Sequence, residues 1–213
     1  QPDLVLSGFA NNRWQYTNFS VPGGSQFLYM VNGIDDPKYW NGVSWQTPSI
    51  TGGPAQSTFS NIAAHQNRLW FIPANSTKVV YLASSAITGP IDGTLELSSL
   101  MTLGGYLVAM GTWTYNGGTG PQNLAVFVTT RGQVIIYAGN DPTNASTWLL
   151  QGVFDLAPPL GQRCIEQIGS DLGIITFLAE HGDVVIGCSE LGGEALVLVG
   201  EAGILPSDLG VDL

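Results

Sequence analysis

The sequence predicts an all-β protein, and three observations support this prediction. Apolar residues come in short runs of about four to eight, rich in Val, Ile, Leu, Phe, Tyr and Trp. Gly, Asn, Asp, Pro or Ser bounds most of these runs, and the periodicity of an amphipathic helix is almost absent. The third observation is a degenerate repeat of paired apolar runs.

Each apolar run that turn residues bound on both sides is predicted as a strand. In chain order these runs are residues 4–6, 13–19, 27–31, 39–40, 62–65, 68–72, 79–82, 95–97, 106–113, 124–129, 133–138, 148–154, 165–168, 172–178, 183–186 and 195–199. The segment 97–103 is the only predicted helical turn, centred on residues 98–101.

The connections between the predicted strands are typical of hairpins. Asn32-Gly33 and Asn41-Gly42 tolerate positive φ angles and therefore favour tight turns. Gly132 and Gly182 lie in further short connections, whereas residues 51–54 and 116–121 read as longer loops.

The repeat consists of an apolar strand, a turn and a second strand. Its units begin at Phe27, Leu69, Ala125 and Leu172, with spacings of 42, 56 and 47 residues. A repeat of about 40–50 residues is typical of a β-propeller, in which each blade is a small antiparallel sheet. Residues 134–136 and 174–175 are apolar on both strand faces, as stacked sheets require. We predict a β-propeller-like domain over 1–190, complete or incomplete, with a β-sandwich as the alternative. The role of residues 191–213 is left open.

Charge is sparse, and its sign is mostly negative. Only 10% of the 213 residues are charged and the net charge is −10, whereas soluble domains carry about a quarter charged residues. The six basic residues are spread singly along the chain, so ordinary nucleic-acid binding is disfavoured. An acidic wall that repels DNA, as in a channel lining, is compatible with this charge. No apolar stretch is long enough to predict a membrane span.

Candidate catalytic and metal-binding residues do not form a recognisable set. His65 and His181 are far apart and lack nearby ligand partners, so neither a zinc site nor a catalytic base is predicted. Cys164 and Cys188 are expected to be buried free thiols, with one disulfide as the alternative. We therefore predict no enzyme, no catalytic, metal or cofactor-binding residues, and no cofactor.

Five other patterns invite a functional interpretation. The pairs Asp35-Asp36 and Asn140-Asp141 precede Pro and are interpreted as turns rather than Ca²⁺ ligands. The loops at Gly104-Gly105 and 117–120 lack the lysine of a phosphate-binding loop. Tyr and Trp rings can stack on sugars, but those near apolar strands are expected in the core: Trp70, Tyr81, Tyr137 and Trp148. Glycoside hydrolysis needs two carboxylates close in space, and four are candidates by residue type alone: Glu166, Asp171, Glu180 and Asp183. Glycosylation sequons begin at Asn18, Asn75 and Asn144.

An ordered series of short sequence motifs, which we call phrases, covers residues 24–182. The phrases include 31–35, 39–45, 65–71, 81–89, 103–107, 110–114 and 117–121, then the long stretch 124–154, followed by 159–163 and 169–172. In order and spacing this stretch resembles the propeller-containing nozzle, or DNA-stabilization, proteins of tailed-phage and prophage tails.

This resemblance implies a structural subunit of a virion tail that forms part of a DNA-conducting channel. It implies a homo-oligomeric ring, expected to be a hexamer, that contacts other tail proteins or portal and adaptor proteins. DNA would pass through the lumen without sequence-specific binding. The alternative function is a propeller-type module of a virion that binds a receptor or glycan. The stretch 191–213 matches nothing in this family, and family members are usually longer at both ends.

Overall fold

The computed structural model describes residues 6–116, 121–168, 171–178, 183–188 and 196–200. Within these ranges the chain forms four β-sheets that follow one another along the sequence. Helix is limited to two single 3₁₀ turns, Gln56–Thr58 and Ser98–Leu100. None of the helical turns in this part of the chain has the length or apolar character needed to cross a bilayer.

The first two sheets occupy the N-terminal half of the chain. Sheet 1 is an antiparallel meander of β1 (Gln15–Ser20), β2 (Gln26–Val31), β3 (Lys38–Trp40) and β4 (Trp45–Gln46). Sheet 2 has the order β5-β9-β8-β7-β6. Its strands are β5 (Ile50–Thr51), β6 (Phe59–His65), β7 (Arg68–Pro73), β8 (Lys78–Leu82) and β9 (Gly89–Glu96). The short β5 pairs with β9 in parallel, and all other pairs are antiparallel.

The other two sheets are four-stranded meanders. Sheet 3 contains β10 (Leu107–Asn116), β11 (Pro121–Thr129), β12 (Gln133–Ala138) and β13 (Leu149–Asp155). Sheet 4 contains β14 (Ile165–Ile168), β15 (Asp171–Leu178), β16 (Asp183–Cys188) and β17 (Leu196–Gly200). Consecutive strands pair in both sheets, because short connections join antiparallel neighbours.

Most sequence-based strand predictions are confirmed within a few residues. The short strands β4 and β5 and the first 3₁₀ turn were not predicted, while the predicted turn at 97–103 is the observed one at Ser98–Leu100. The predicted strand at 4–6 is not formed at Leu6, and residues 4–5 lie outside the described residues. The four repeat units become two adjacent interior strands of each sheet: β2–β3, β7–β8, β11–β12 and β15–β16.

Sheets 1, 2 and 3 are held together by apolar clusters between their faces. Strand β7 shows the principle, because its side chains alternate between two neighbours. Leu69 and Phe71 belong to the cluster shared with sheet 1, whereas Trp70 and Ile72 belong to the cluster shared with sheet 3. All four residues are buried, so sheet 2 is covered on both faces.

Sheet 3 is covered on both faces in the same way. Phe127 and Ile135 face sheet 2, whereas Val126, Val134 and Ile136 face sheet 4. The prediction that 134–136 is buried on both faces is therefore confirmed. A stack of four sheets differs from the two-sheet β-sandwich that was the alternative.

Sheet 4 includes β17, so the predicted domain boundary at residue 190 falls between two paired strands.

One edge strand of each sheet lies on the inner side of the stack, and these four inner strands are β1, β6, β10 and β14. Strand β6 contacts β1 and β10, and β10 also contacts β14. Buried Asn61 on β6 cross-links these strands, because its Oδ1 accepts a hydrogen bond from Met110 N at 3.1 Å. Its Nδ2 donates to Gln162 O, just before β14, at 3.5 Å. The four inner strands thus line a common axis.

Candidate functional site

A groove runs along the inner strands of the stack. It has a volume of about 590 Å³ and draws its lining from β1, β6, β10 and β14. Its lining mixes neutral polar side chains such as Asn61, Thr112 and Gln167 with small and apolar ones, and Glu166 and Arg163 are its charged residues in the described part of the chain. The groove of a single chain is thus nearly neutral, in contrast to an acidic channel lining.

A wider cleft opens beside this groove, and we call it the mouth cleft. Its volume is about 800 Å³, and segments distant in sequence line it: residues 12–15, 74–75, 106–108 and 159–163, together with Ser60, Thr130 and Ile175. Arg13, Arg163 and Tyr106 are its most chemically distinctive side chains. Arg163 Nη2 donates to Trp14 O at 2.8 Å and so ties the entry of β14 to the chain before β1.

These three residues could not be singled out from the sequence. Their spacing carries no motif, and the basic residues stand singly along the chain. Arg13 and Arg163 line one cleft only because the first and fourth sheets approach the same axis. The mouth cleft is therefore a product of tertiary structure.

One face of sheet 1 is not part of any apolar cluster in the described part of the chain, and we call it the free face. It carries Tyr16, Leu28, Met30, Trp40 and Trp45, and the strand register places the polar side chains of Asn18 and Lys38 on the same side. Tyr16 is 68% exposed, and the other four apolar side chains are half-buried. The opposite face, with Phe19, Tyr29 and Val31, packs on sheet 2. Sheets 2 and 3 have no comparable open face.

His65 is buried in the core and its geometry opposes a role as a general base. The Thr112 hydroxyl donates to Ala64 O at 3.2 Å, so it accepts the hydrogen bond from His65 Nδ1 at 3.0 Å. The basic lone pair is consequently on Nε2, which has no partner among the described residues. Burial lowers the pKa of His65 to about 4. We interpret His65 as a structural, neutral side chain.

The four aromatic residues assigned to the core from sequence stack together there. Trp148 lies between Tyr137 and Trp70, with ring centroids 5.5 Å and 5.6 Å away and nearly parallel planes. Trp70 contacts Tyr81 at 4.6 Å. Trp70, Tyr81 and Trp148 are buried and Tyr137 is half-buried, so Trp70, Tyr81 and Trp148 present no open ring face to a sugar.

The acidic pairs before proline form turns, as predicted. Asn32 Oδ1 accepts hydrogen bonds from the backbone N–H groups of Ile34 and Asp35, and Asp35 in turn accepts one from Ala10 N. Asp141 Oδ1 accepts from both the backbone and the hydroxyl of Thr143. Hydrogen bonds from Thr143 lower the pKa of Asp141. The Asp141 oxygen is thus used within its own turn, whereas the Asp35 carboxylate joins its turn to the segment before β1.

Arg68 joins sheets 2 and 3 at their rim. Its guanidinium donates to Asp92 and to Leu82 O, lies 3.9 Å from Asp141, and its Cζ stands 5.5 Å from the Tyr81 ring centre. Only 13% of this side chain is exposed. The side chain therefore holds the two sheets in place and offers little surface to a ligand.

The remaining candidates keep their structural interpretation or fall outside the description. Cys164 is a free thiol, so the disulfide alternative is not formed, and its burial raises its pKa to about 12. Within the described ranges no three His, Cys, Asp or Glu side chains gather as a metal site would require. His181, Glu180 and the side chains of Asp171, Asp183 and Cys188 lie outside the described residues. The sequon residues Asn18, Asn75 and Asn144 are exposed.

Comparison with known proteins supports the fold. No family model matches the chain, and no curated protein matches it. A fucose-specific lectin from Aleuria aurantia aligns with a TM-score of 0.51 and 14% identity, over 90% of this chain and 63% of the lectin. The structure "YCF48 bound to D1 peptide" aligns with a TM-score of 0.47 and 13% identity, over 89% of this chain and 59% of that one. The chain spans less than two thirds of the length of either protein. The fold is β-propeller-like, as predicted from the sequence.

Proposed function

We propose that this chain is a non-catalytic binding module of the β-propeller type. Two surfaces, the free face and the mouth cleft, remain open on a stack whose middle sheets are buried on both sides. His65 and Cys164 are buried, and the pKa of each is shifted so that the group stays neutral. These features support a protein that acts by binding a partner rather than by catalysing a reaction.

More specifically, we propose that the chain is a structural ring subunit of a phage virion tail. The free face is the observation that carries it. Apolar side chains occupy much of this face, beside Lys38 and Asn18, whereas the corresponding faces of sheets 2 and 3 are covered by neighbouring sheets. An open apolar face of this kind is typical of an interface.

The partner in this proposal is a second copy of the chain. Sheet 1 and sheet 4 are the two ends of the stack, so the free face of one copy would meet the fourth-sheet end of the next. Such head-to-tail contacts between unlike surfaces generate rings when the rotation closes. The ordered sequence phrases between residues 24 and 182 supply the viral setting of the proposal.

The assembly proposal is tested by the mass of the particle in solution. We expect the wild-type chain to form a closed ring, measured by light scattering after size exclusion and by negative-stain microscopy. Tyr16→Lys places a charge on the free face at an exposed position, so it should dissociate the ring without unfolding the subunit. Tyr106→Lys, an exposed tyrosine on another surface, should leave the ring intact. A wild-type protein that stays monomeric and never associates with virions or portal rings would refute the proposal.

A second candidate function is a module that binds a receptor glycan, and the mouth cleft favours it. Tyr106 is 40% exposed there, unlike Trp70 and Trp148 in the core. The cleft has the size of a typical small-ligand site. A glycan array tests this function. We expect binding that Tyr106→Ala removes and Tyr16→Ala keeps, whereas an array without any bound glycan would exclude it.

A further inference from the structure

We infer that the mouth cleft binds a saccharide that carries a carboxylate group, with Arg13 and Arg163 as the carboxylate-binding residues. This inference rests on the glycan-binding candidate function and names its ligand class. It depends on three features of the cleft: its local charge, its free hydrogen-bonding groups and its exposed tyrosine.

The charge of the cleft is opposite to that of the chain. The whole sequence has 16 acidic and six basic residues, yet the residues that line the cleft include two arginines and no Asp or Glu. A concave, positively charged surface concentrates anions from solution, and it also repels cations. An acidic ligand is therefore favoured at this place on an otherwise acidic protein.

Both guanidinium groups are available to a ligand. The ion pairs in the described part of the chain use Arg68 and Lys78, so Arg13 and Arg163 have no carboxylate partner there. Arg163 uses one N–H group on Trp14 O, which fixes the side chain and leaves four N–H donors. A guanidinium binds a carboxylate through two parallel hydrogen bonds, so an anchored arginine presents a preorganised site.

The rest of the lining suits the neutral part of a sugar. Four amide side chains line the cleft and can each donate to and accept from hydroxyl groups: Asn12, Gln15, Asn75 and Gln162. Tyr106 adds an exposed ring, which can pack on the apolar face of a sugar. A sugar presents both hydroxyl groups and an apolar C–H face, so this set of side chains complements its surface.

An acidic peptide shares the carboxylate but fits the cleft less well. Peptides are commonly bound by pairing with a free strand edge or by inserting apolar side chains into pockets. The cleft instead combines arginines, amides and a single aromatic ring, with Leu160 as its exposed apolar residue. The acidic saccharide is therefore the ligand that the lining favours.

The test compares three probes on the intact chain by calorimetry: an oligosaccharide of hexuronic acid, its neutral hexose counterpart, and hexaglutamate. We expect the acidic saccharide to bind and the neutral one to bind at least about tenfold more weakly, since it lacks the charge-assisted guanidinium–carboxylate pair. Hexaglutamate should also bind at least about tenfold more weakly, because it offers no sugar hydroxyl groups to the amides and no C–H face to Tyr106. Arg13→Gln should weaken the acidic saccharide about tenfold. Lys38→Gln, which removes the same charge outside the cleft, should not. Thermal unfolding of each variant shows that the fold is retained.

Each other outcome overturns the inference in a recognisable way. If the neutral saccharide binds equally well, and Arg13→Gln has no effect while Tyr106→Ala does, the carboxylate assignment fails and the glycan-binding function survives. If hexaglutamate binds as tightly as the acidic saccharide, the cleft is a peptide site. If no saccharide binds at millimolar concentration, both the inference and the glycan-binding function fail.

Discussion

Acidification should destabilise this protein through His65 between pH 6.5 and pH 4. The folded chain holds the imidazole neutral, because burial lowers its pKa to about 4. In the unfolded chain the same group has a pKa of about 6.5. The unfolded state therefore binds more protons in this range, and the free energy of unfolding falls as the pH is lowered. The contribution is complete above pH 6.5 and is lost by pH 4.

The size of the effect follows from these two pKa values. Between pH 7.5 and pH 5.0 the linkage relation gives a loss of about 2 kcal/mol from this one histidine. That is a large part of the stability of a typical domain. Groups with lowered acidic pKa values, such as Glu96 and Asp141, respond mainly below pH 5, so they add little in this interval.

The assay is urea unfolding at the two pH values, followed by tryptophan fluorescence. His65→Asn removes the titration and keeps a donor for Thr112, so its loss between pH 7.5 and 5.0 should be about 2 kcal/mol smaller than in the wild type. The constant cost of the substitution cancels in this difference. Equal pH dependence in the wild type and His65→Asn would show that His65 is not a buried neutral group.

Three further predictions concern packing, backbone conformation and thiol reactivity. Phe127→Ala should lower the free energy of unfolding by about 3–5 kcal/mol in denaturant titrations, because the ring is fully buried between sheets 2 and 3, whereas Phe154→Ala at 43% exposure should cost less than about 1 kcal/mol. Equal costs would contradict the stacked-sheet core. Gly132→Ala should cost about 2 kcal/mol more than Gly42→Ala. Both glycines have positive φ, but a Cβ at Gly132 would collide with the carbonyl oxygens of Leu156 and Ala157, while Gly42 faces open space. A smaller cost at Gly132 than at Gly42 would show that this turn is loosely packed. In a Cys188→Ser variant, Cys164 should not react with a thiol reagent until denaturant is added, since it is buried and its pKa is raised to about 12; rapid labelling of the native protein would refute this.

The strands and the faces they bury were readable from sequence because both depend on local patterns. Residues 134–136 are apolar at consecutive positions, and only a strand covered on both sides suits that pattern. Likewise, the four apolar hairpins correspond to interior strands of the four sheets, where burial demands apolar side chains. The short strands β4 and β5 escaped prediction since two residues carry no periodicity.

The candidate surfaces were not readable in the same way. Tyr16 and Trp45 belong to the free face through the pairing register of four strands, and the sequence does not specify that register. Arg13 and Arg163 line the same cleft because the first and fourth sheets approach a common axis, where the hydrogen bond from Arg163 to Trp14 O joins segments 149 residues apart. The virion-tail function, by contrast, stays a prediction from ordered sequence phrases.

The sequence by itself determined that this protein is built from Gly-bounded apolar strands, and that its histidines, cysteines and acidic pairs form no motif. These properties follow from spacing, composition and turn chemistry, which act over a few residues. The tertiary structure alone decided which faces are covered and which side chains share a cleft. The physical reason is that stacking sheets around an axis brings together residues from every part of the chain. It leaves the end face of sheet 1, the inner groove and the mouth cleft as candidate contact surfaces in the described part of the chain.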